Sequence, residues 1–338
     1  MRPEDFPELR TLARESPDTG LVPFASEFIV PPDEADRALG TDAATYIARI
    51  DGAMAGTAKV TYGEIQYEGA VRGAALLGDL MVHPRFRRRG VATRLALHRI
   101  AAAEERLGAD AVLLADIQRG NQGSLRNAAK WQTAASRPFV AVTAPTSPGA
   151  PTPRGSFRVR EAEPGDVEEI ARGIAECYGD ANFHRPQRAE DLAAWLGRGE
   201  DPLRRYLVAL DASGAIAAGL GLTHLHRCLA LRIGPLPLFA RLMNLVAREL
   251  PPDGMIRAAE VDLLFHRPGR AAAAIELWQA AGGRWAADAN ALMLCFDPAG
   301  PLAELAARLR LRRGVAMQAA VRAPVPPDPA RPLVPWLF

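Results

Sequence analysis

Between Thr143 and Ser156 the chain reads TAPTSPGAPTPRGS, a run of Pro, Ser, Thr and Gly with almost nothing to bury. Such a stretch is extended and solvated. It divides 338 residues into two halves, each near the size of one ordinary domain. Each half must therefore find partners for its own apolar faces. The plan expected from this is a domain over residues 1–143, a linker over 144–156, a second domain over 157–300 and a C-terminal helix and tail over 301–338.

The first half reads as a helix near Pro7–Glu15, then two β-like runs, Ala44–Ile50 and Met54–Tyr62, joined at the turn dipeptide Asp51-Gly52. A strand over Ala74–Val82 precedes a helical pattern from Gly90 to Leu107, stopped by Gly108. Ala111–Asp116 is a short apolar run of the kind buried on both faces, and Gly123–Gln132 reads as another helix before the strand Phe139–Val142. The second half follows the same plan loosely. Phe157–Arg160 alternates as a strand, and Asp166 with Glu169 marks a helix entry. Tyr206–Leu210 and Ala215–Thr223 form a hairpin pattern, Leu238–Leu250 is helical, Val261–Phe265 is a strand, Arg270–Ala281 a helix and Ala291–Phe296 a strand. Trp131-Gln132 is echoed by Trp278-Gln279, 147 residues later. The order of elements indicates an internal duplication, an α/β (α+β) chain whose two units are each a mixed, mostly antiparallel sheet covered by helices.

Lys+Arg is 41 against 39 Asp+Glu, a balance that offers nucleic acid no global field. Hydrophobic residues at 49% with no long apolar window point to a globular chain without a membrane span. Cys177, Cys228 and Cys295 are odd in number and widely spaced, which favours a reducing, cytoplasmic setting over a disulfide framework or a structural zinc site. His224 and His226 could place both rings on one side of a strand, but no third ligand stands nearby in sequence, so no metal is expected.

The segment that carries chemistry runs from Leu80 to Thr93, LMVHPRFRRRGVAT. A strand ends at Val82, a turn carries arginines, and a helix opens at about Gly90. A helix opening offers unpaired N–H groups and partial positive charge, which together attract an anion. Gly90 lets the backbone approach a ligand closely, Ala92 keeps the first turn clear, and Arg87, Arg88 and Arg89 add charge and donors. A pyrophosphate suits this site. A solvated basic turn ahead of an amphipathic helix is the plainer alternative. The context weighs against it, because the next apolar strand ends in Asp116-Ile117-Gln118 and Asn121-Gln122-Gly123-Ser124 then opens another helix.

Arg87-Arg88-Arg89-Gly90-Val91-Ala92 resembles the Q/R-x-x-G-x-G/A motif of the GCN5-related N-acetyltransferases (GNAT), and Asn121 with Ser124 is similar to the motif that follows it in that family. The resemblance is specific from about Ala74 to Trp131 and looser elsewhere, so it suggests tandem GNAT-like domains with a degenerate second copy. It implies an acetyl-CoA (acyl-CoA) site. The backbone of Met81 and Val82 would meet the pantetheine arm, the amides from Arg88 to Thr93 would wrap the pyrophosphate, and Asn121 and Ser124 would flank the pantetheine or the adenine end. For Asn121 a helix N-cap is an equal reading.

The reaction so implied is N-acetyl transfer to the amine of a small molecule by direct attack. The amine must lose a proton before attack, and the oxyanion needs a donor, for which the backbone N–H of Met81 is the candidate. The acid on the strand before the phosphate turn is Asp79, the candidate base. Glu64 and Glu68 could instead recognise the acceptor's ammonium. Many family members place a Tyr seven residues after the Asn as general acid; here that position is Ala128. This departure keeps a second class of function open, a CoA-binding or non-catalytic interaction module. A monomer or homodimer fits either reading.

In the second half, Leu231–Pro237 is expected to enter the equivalent helix, without the motif and with Pro235 and Pro237 lacking the N–H groups a phosphate needs. One acyl-CoA per chain is therefore expected. The first half reads without an opening strand, which would leave a sheet edge uncovered. Val315–Val321, between Gly314 and Pro324, reads as a strand that crosses back to the first half's sheet; a tail packed on its own domain is the plainer alternative.

Overall fold

A computed structural model describes residues 2–149, 155–196, 202–234, 251–311 and 314–336. The first half runs from a helix, Phe6–Glu15, through strand β1 (Phe24–Phe28) and a helix over Pro32–Leu39. Strands β2 (Ala43–Ile50), β3 (Ala53–Tyr67) and β4 (Ala70–Val82) follow as an antiparallel meander. The helix Val91–Leu107 crosses to β5 (Val112–Gln118), which pairs parallel with β4, and the short helix Gln122–Ala128 leads to β6 (Ala134–Ala135) and β7 (Phe139–Pro145). The second half has β8 (Arg158–Glu161), helices Val167–Tyr178 and Ala189–Leu196, β9 (Arg204–Leu210) and β10 (Ile216–Thr223). After these come β11 (Leu229–Ile233), β12 (Met255–Ile256) and β13 (Ala258–His266). The helix Ala271–Ala280, β14 (Ala291–Phe296), the helix Ala303–Arg308 and β15 (Gly314–Arg322) complete it.

Local chemistry explains the best-read elements. Asp51 and Gly52 both take positive φ, 51° and 81°, as a two-residue hairpin turn between right-twisted strands requires. Val112, Leu113, Leu114 and Ala115 are all buried because β5 lies inside the sheet with cores on both faces.

The two halves share one twelve-stranded sheet, because they exchange their last strands. The order is β2-β3-β4-β5-β15-β7-β14-β13-β10-β9-β8, with the short β6 paired to β15 off this path. Strand β7, from the first half, pairs antiparallel with β14 of the second, Ala291 opposite Pro145 and Phe296 opposite Val140. Strand β15, from the C-terminal tail, lies between β5 and β7, Met317 opposite Gln118 and Arg322 opposite Leu113. Ala319, Ala320 and Val321 are consequently at most 3% exposed. The chain beyond β15 is fastened as well: Leu333 and Trp336 are buried, and Leu333 N donates to Asp297 Oδ2 at 3.1 Å.

Several sequence expectations need correction here. The linker begins later than Thr143, since Thr143, Ala144 and Pro145 are laddered to β14; residues 150–154 lie outside the described residues. The tail strand does cross back, but it enters the middle of the sheet, and the edge left by the missing opening strand is β2. Strand β1 and the helix Pro32–Leu39 went unread, and β1 forms a separate three-stranded sheet with β11 and β12. Asp166 does not cap with Glu169; its carboxylate accepts from Glu163 N at 2.7 Å and pairs with Arg160, while Glu169 accepts from Ile216 N. The expected helix Leu238–Leu250 lies outside the described residues.

Of Leu231–Pro237, residues 235–237 with both prolines lie outside the described residues, and the described part is not the second half's counterpart of the arginine turn before Gly90. Leu229–Ile233 is β11, and Gly234 N donates to Pro23 O at 2.7 Å. The strand that pairs parallel with its successor in the second half is β13, with β14, so the equivalent strand-to-helix turn is Arg267-Pro268-Gly269-Arg270. Gly269 takes φ 74°, matching φ 80° at Gly90. Pro268 has no N–H, and the Arg267 and Arg270 amides are already spent on Ala217 O and Arg267 O.

Candidate active site

Strands β4 and β5 are paired only from Ala74 to Leu76, opposite Val112 to Leu114. Beyond Leu76 they diverge, and a cleft of about 620 Å³ opens between Leu77–Val82 on one side and Ala115–Ile117 on the other. A bulge between Thr57 and Lys59 of β3 accompanies the divergence, with Asp79 at φ 46° as the extra residue of β4. Across from it Gly56 is obligatory: a Cβ there would stand 2.6 Å from the Met81 carbonyl oxygen.

The turn at the mouth of the cleft is built as the sequence suggests. Pro84–Phe86 forms one 3₁₀ turn, Phe86 anchors it in the core, and the Arg85 and Arg89 guanidinium groups lie over its ring. Arg87 Nε donates to Val82 O at 3.2 Å. Arg88 and Gly90 take φ 62° and 80°, and Gly90 is the N-cap of the helix Val91–Leu107. The first intrahelical bond at this end runs from Arg94 N to Gly90 O, 3.0 Å, so the amides of Val91, Ala92 and Thr93 precede it and are available to an anion. The Val91 side chain points into the core, leaving only its amide to a ligand. Thr93 Oγ1 accepts from Lys130 Nζ at 2.8 Å.

Met81, Val82, Asp79, Arg87, Ala92, Asn121 and Ser124 all line this one cleft, and Arg88, Arg89, Gly90 and Thr93 lie in the turn beside it. Asn121 is an N-cap, accepting from Ser124 N at 3.0 Å, and its amide donates to Asp18 Oδ2 at 2.8 Å. Ala128 is also in the wall, 2% exposed, and no tyrosine is among the residues described there.

Glu64 and Glu68 lie elsewhere. Glu64 is seven residues from Thr57, the partner of Met81, which is about 20 Å along an extended strand. Glu64 pairs with Arg188 at 3.2 Å, and Glu68 accepts from Asn182 Nδ2 at 2.6 Å and from Asp328 N at 2.8 Å. Both serve contacts between the halves, and neither lines the cleft.

Two cleft carboxylates were missed in the sequence. Asp18 sits on the loop after the first helix, and its Oδ1 accepts from Gly20 N at 2.7 Å and Gln118 Nε2 at 3.2 Å. Burial raises its pKa, against the hydrogen bonds from Gly20 N and the Asn121 amide. Asp116 lies on β5 at the divergence. Leu113, Ala115 and Ile117 pack in the core that holds the helix Val91–Leu107, whereas Val112 and Leu114 pack with Phe183 and Trp336, so strand alternation turns Asp116 toward the latter face. Its Oδ2 is buried with no hydrogen-bond partner, and burial pushes the carboxyl up to about 7. The readable clue was an acid in a strand, VLLADIQ, otherwise built for a double-sided core. Arg99, 2% exposed, donates to Gly78 O at 2.7 Å beneath Asp79, and burial lowers it to about 10.

A second cavity, about 320 Å³, opens where β13 and β14 diverge in the second half. Its wall includes Glu260, Asp262, His184, Arg204 and Trp336, and it shares no lining residue with the first.

Residues 7–132 match the family model described as Acetyltransferase (GNAT) family. None of the curated proteins matches the chain in sequence. Among solved structures, N-myristoyltransferase of Saccharomyces cerevisiae with bound myristoyl-CoA superposes with a TM-score of 0.62 at 10% identity, over 99% of this chain and 87% of that one. A GCN5-related N-acetyltransferase from Sphaerobacter thermophilus superposes with a TM-score of 0.58 at 18% identity, over 95% of this chain and 93% of that one. At these identities the likeness is one of fold, a tandem arrangement of two GNAT-like units over the whole chain.

Proposed function

We propose, from the premise that residues 7–132 belong to the acetyltransferase (GNAT) family, that this acyltransferase moves an acetyl group from acetyl-CoA to the amine of a small molecule. The observation that carries the reading is one cleft combining a row of helix-opening amides, a diverging pair of strands and a half-buried carboxylate poised near neutral pH. The amides from Arg88 to Thr93 would hold the pyrophosphate, with Arg87 at the cleft wall adding charge. The edges of Met81 and Val82, freed where β4 leaves β5, would receive the pantetheine arm, and Met81 N–H would face the developing oxyanion. The thioester supplies the activated acyl group.

Asp116 fits the base better than Asp79. A base near pKa 7 is mostly ionised just above neutrality yet still strong enough to take a proton from an ammonium. Asp116 is on the face opposite the helix Val91–Leu107, so amine and phosphate would enter from different sides. The Arg99–Gly78 contact beneath Asp79 suits a charge that holds the bulge. The acceptor would be a small amine, with neither nucleic acid nor membrane as substrate and the chain acting as monomer or homodimer. Ala128 favours a second reading, a CoA-binding module without turnover, because no tyrosine is in the described wall to protonate the leaving thiolate. Thiol release from acetyl-CoA over a panel of amines, amino acids, aminoglycosides and peptides, read with mass spectrometry of the products, separates the two. An acetylated amine supports the enzyme; binding of acetyl-CoA with no product from any amine supports the module.

A further inference from the structure

His224 and His226 lack a third ligand in the local sequence, and the fold brings one from 62 residues beyond His226. His224 follows β10, His226 lies in the 3₁₀ turn Leu225–Arg227, and Asp288 lies in the loop before β14. One ligand atom from each residue can be chosen so that all three lie within 4.8 Å of one another. His224 Nδ1 is 3.6 Å from Asp288 Oδ1, and His226 Nε2 is 3.2 Å from Asp288 Oδ2. Ligands about 2.0–2.1 Å from a tetrahedral ion stand about 3.3 Å apart, and each imidazole lies near that distance from one oxygen of the Asp288 carboxylate.

His224 is 2% exposed and the His226 side chain 7%, and apart from the facing Asp288 carboxylate their four ring nitrogens find no hydrogen-bond partner among the described residues. Buried polar atoms left under-satisfied are costly, and two adjacent rings that share one carboxylate leave room for a ligand between them. Arg227 holds Asp288 Oδ2 from Nε at 3.1 Å and from Nη2 at 2.9 Å. That pair fixes the carboxylate from outside, as a supporting shell does, while Oδ1 stays toward His224.

We propose that His224, His226 and Asp288 form a binding site for a borderline divalent transition ion of the zinc class, with the fourth position open to water on the exposed Asp288 side. Two imidazoles and one carboxylate suit Zn²⁺, Co²⁺ or Ni²⁺ better than Mg²⁺ or Ca²⁺. The ion would tie the turn after β10 to the loop before β14. These strands flank β13, so it would brace the divergence that forms the second cavity.

The test uses the full chain, stripped with a chelator and titrated with Zn²⁺ by calorimetry and with Co²⁺ by visible absorption. The expected result is one saturable equivalent, a four-coordinate Co²⁺ spectrum and a higher melting temperature with Zn²⁺. Asp288→Asn, at a half-exposed side chain, and His226→Ala should each weaken Zn²⁺ by at least about tenfold. His98→Ala, at an exposed histidine on another helix, should leave the affinity unchanged. Absence of a one-to-one isotherm, or an isotherm that survives both Asp288→Asn and His226→Ala, overturns the site.

Discussion

Replacing Asp116 by Asn should make the protein more stable and less active at the same time, and only above a defined pH. The carboxyl is raised to about 7 from 3.8 because Oδ2 is buried without a partner. The folded state therefore holds this proton more tightly than the unfolded chain. The stability linked to the site is complete below about pH 4 and is lost as pH rises through about 7. Three pH units at about 1.36 kcal/mol each give about 4 kcal/mol of penalty on the alkaline side, and solvent reaching the half-buried side chain reduces this to about 2–4 kcal/mol. Asn is neutral throughout. Urea unfolding should show the two proteins within about 1 kcal/mol near pH 4 and the variant ahead by about 2–4 kcal/mol near pH 9. In the same series kcat/KM of the wild type should rise through about pH 7, and the variant should lose that limb with a rate reduction of about 10²–10⁴-fold. A stability difference that does not change with pH, or a variant that keeps the limb, would refute both the poised carboxyl and its role.

Asp79→Asn should keep the limb near neutrality, as a pH–rate profile would report; losing it would move the base back to Asp79. Removing residues 314–338 takes β15 out of the sheet's interior along with buried Leu333 and Trp336, so the truncated chain should fail to give a cooperative melt. The milder Trp336→Ala should cost about 3–5 kcal/mol in urea unfolding. Glu27 is held down to about 2, chiefly by hydrogen bonds from Arg14 and Arg10, with Arg232 adding charge. Its contribution is present above about pH 4.5 and lost as pH falls through about 2, so Glu27→Gln should destabilise by about 3 kcal/mol at neutral pH and by almost nothing near pH 2.

What the sequence disclosed was whatever local chemistry decides. The Asp51-Gly52 turn, the Gly90 helix entry, the stop at Gly108 and the alternating hairpins are set by backbone geometry within a few residues, and each formed where expected. The duplication was legible because both halves repeat one order of elements. The partner of each strand was not. Phe139–Pro145 and Gly314–Arg322 look alike as short apolar strands, and nothing local says that each closes the other half's sheet. For the same reason Leu231–Pro237 was matched to the wrong junction: order along the chain could not reveal that β11 leaves the main sheet to pair with β1. In the cleft, the arginine-rich turn ahead of Gly90 was readable as a contiguous motif. Asp18 and Asp116 were not, because they are brought together only by burial and by a cleft assembled from β4, β5 and the loop after the first helix. Glu64 and Glu68 are near the strand in sequence, but about 20 Å of extended backbone separates Glu64 from the cleft, and neither residue lines it.

The most direct test of the account is the stoichiometry of acetyl-CoA binding, measured calorimetrically on the full chain and on Gly90→Val. The account predicts one molecule per wild-type chain. It predicts no measurable binding in the variant, whose β-branched residue cannot easily hold φ 80° and would crowd the amides that receive the phosphates. Two molecules per chain, or one that binds equally well to Gly90→Val, would place the nucleotide outside the first-half cleft and contradict the account.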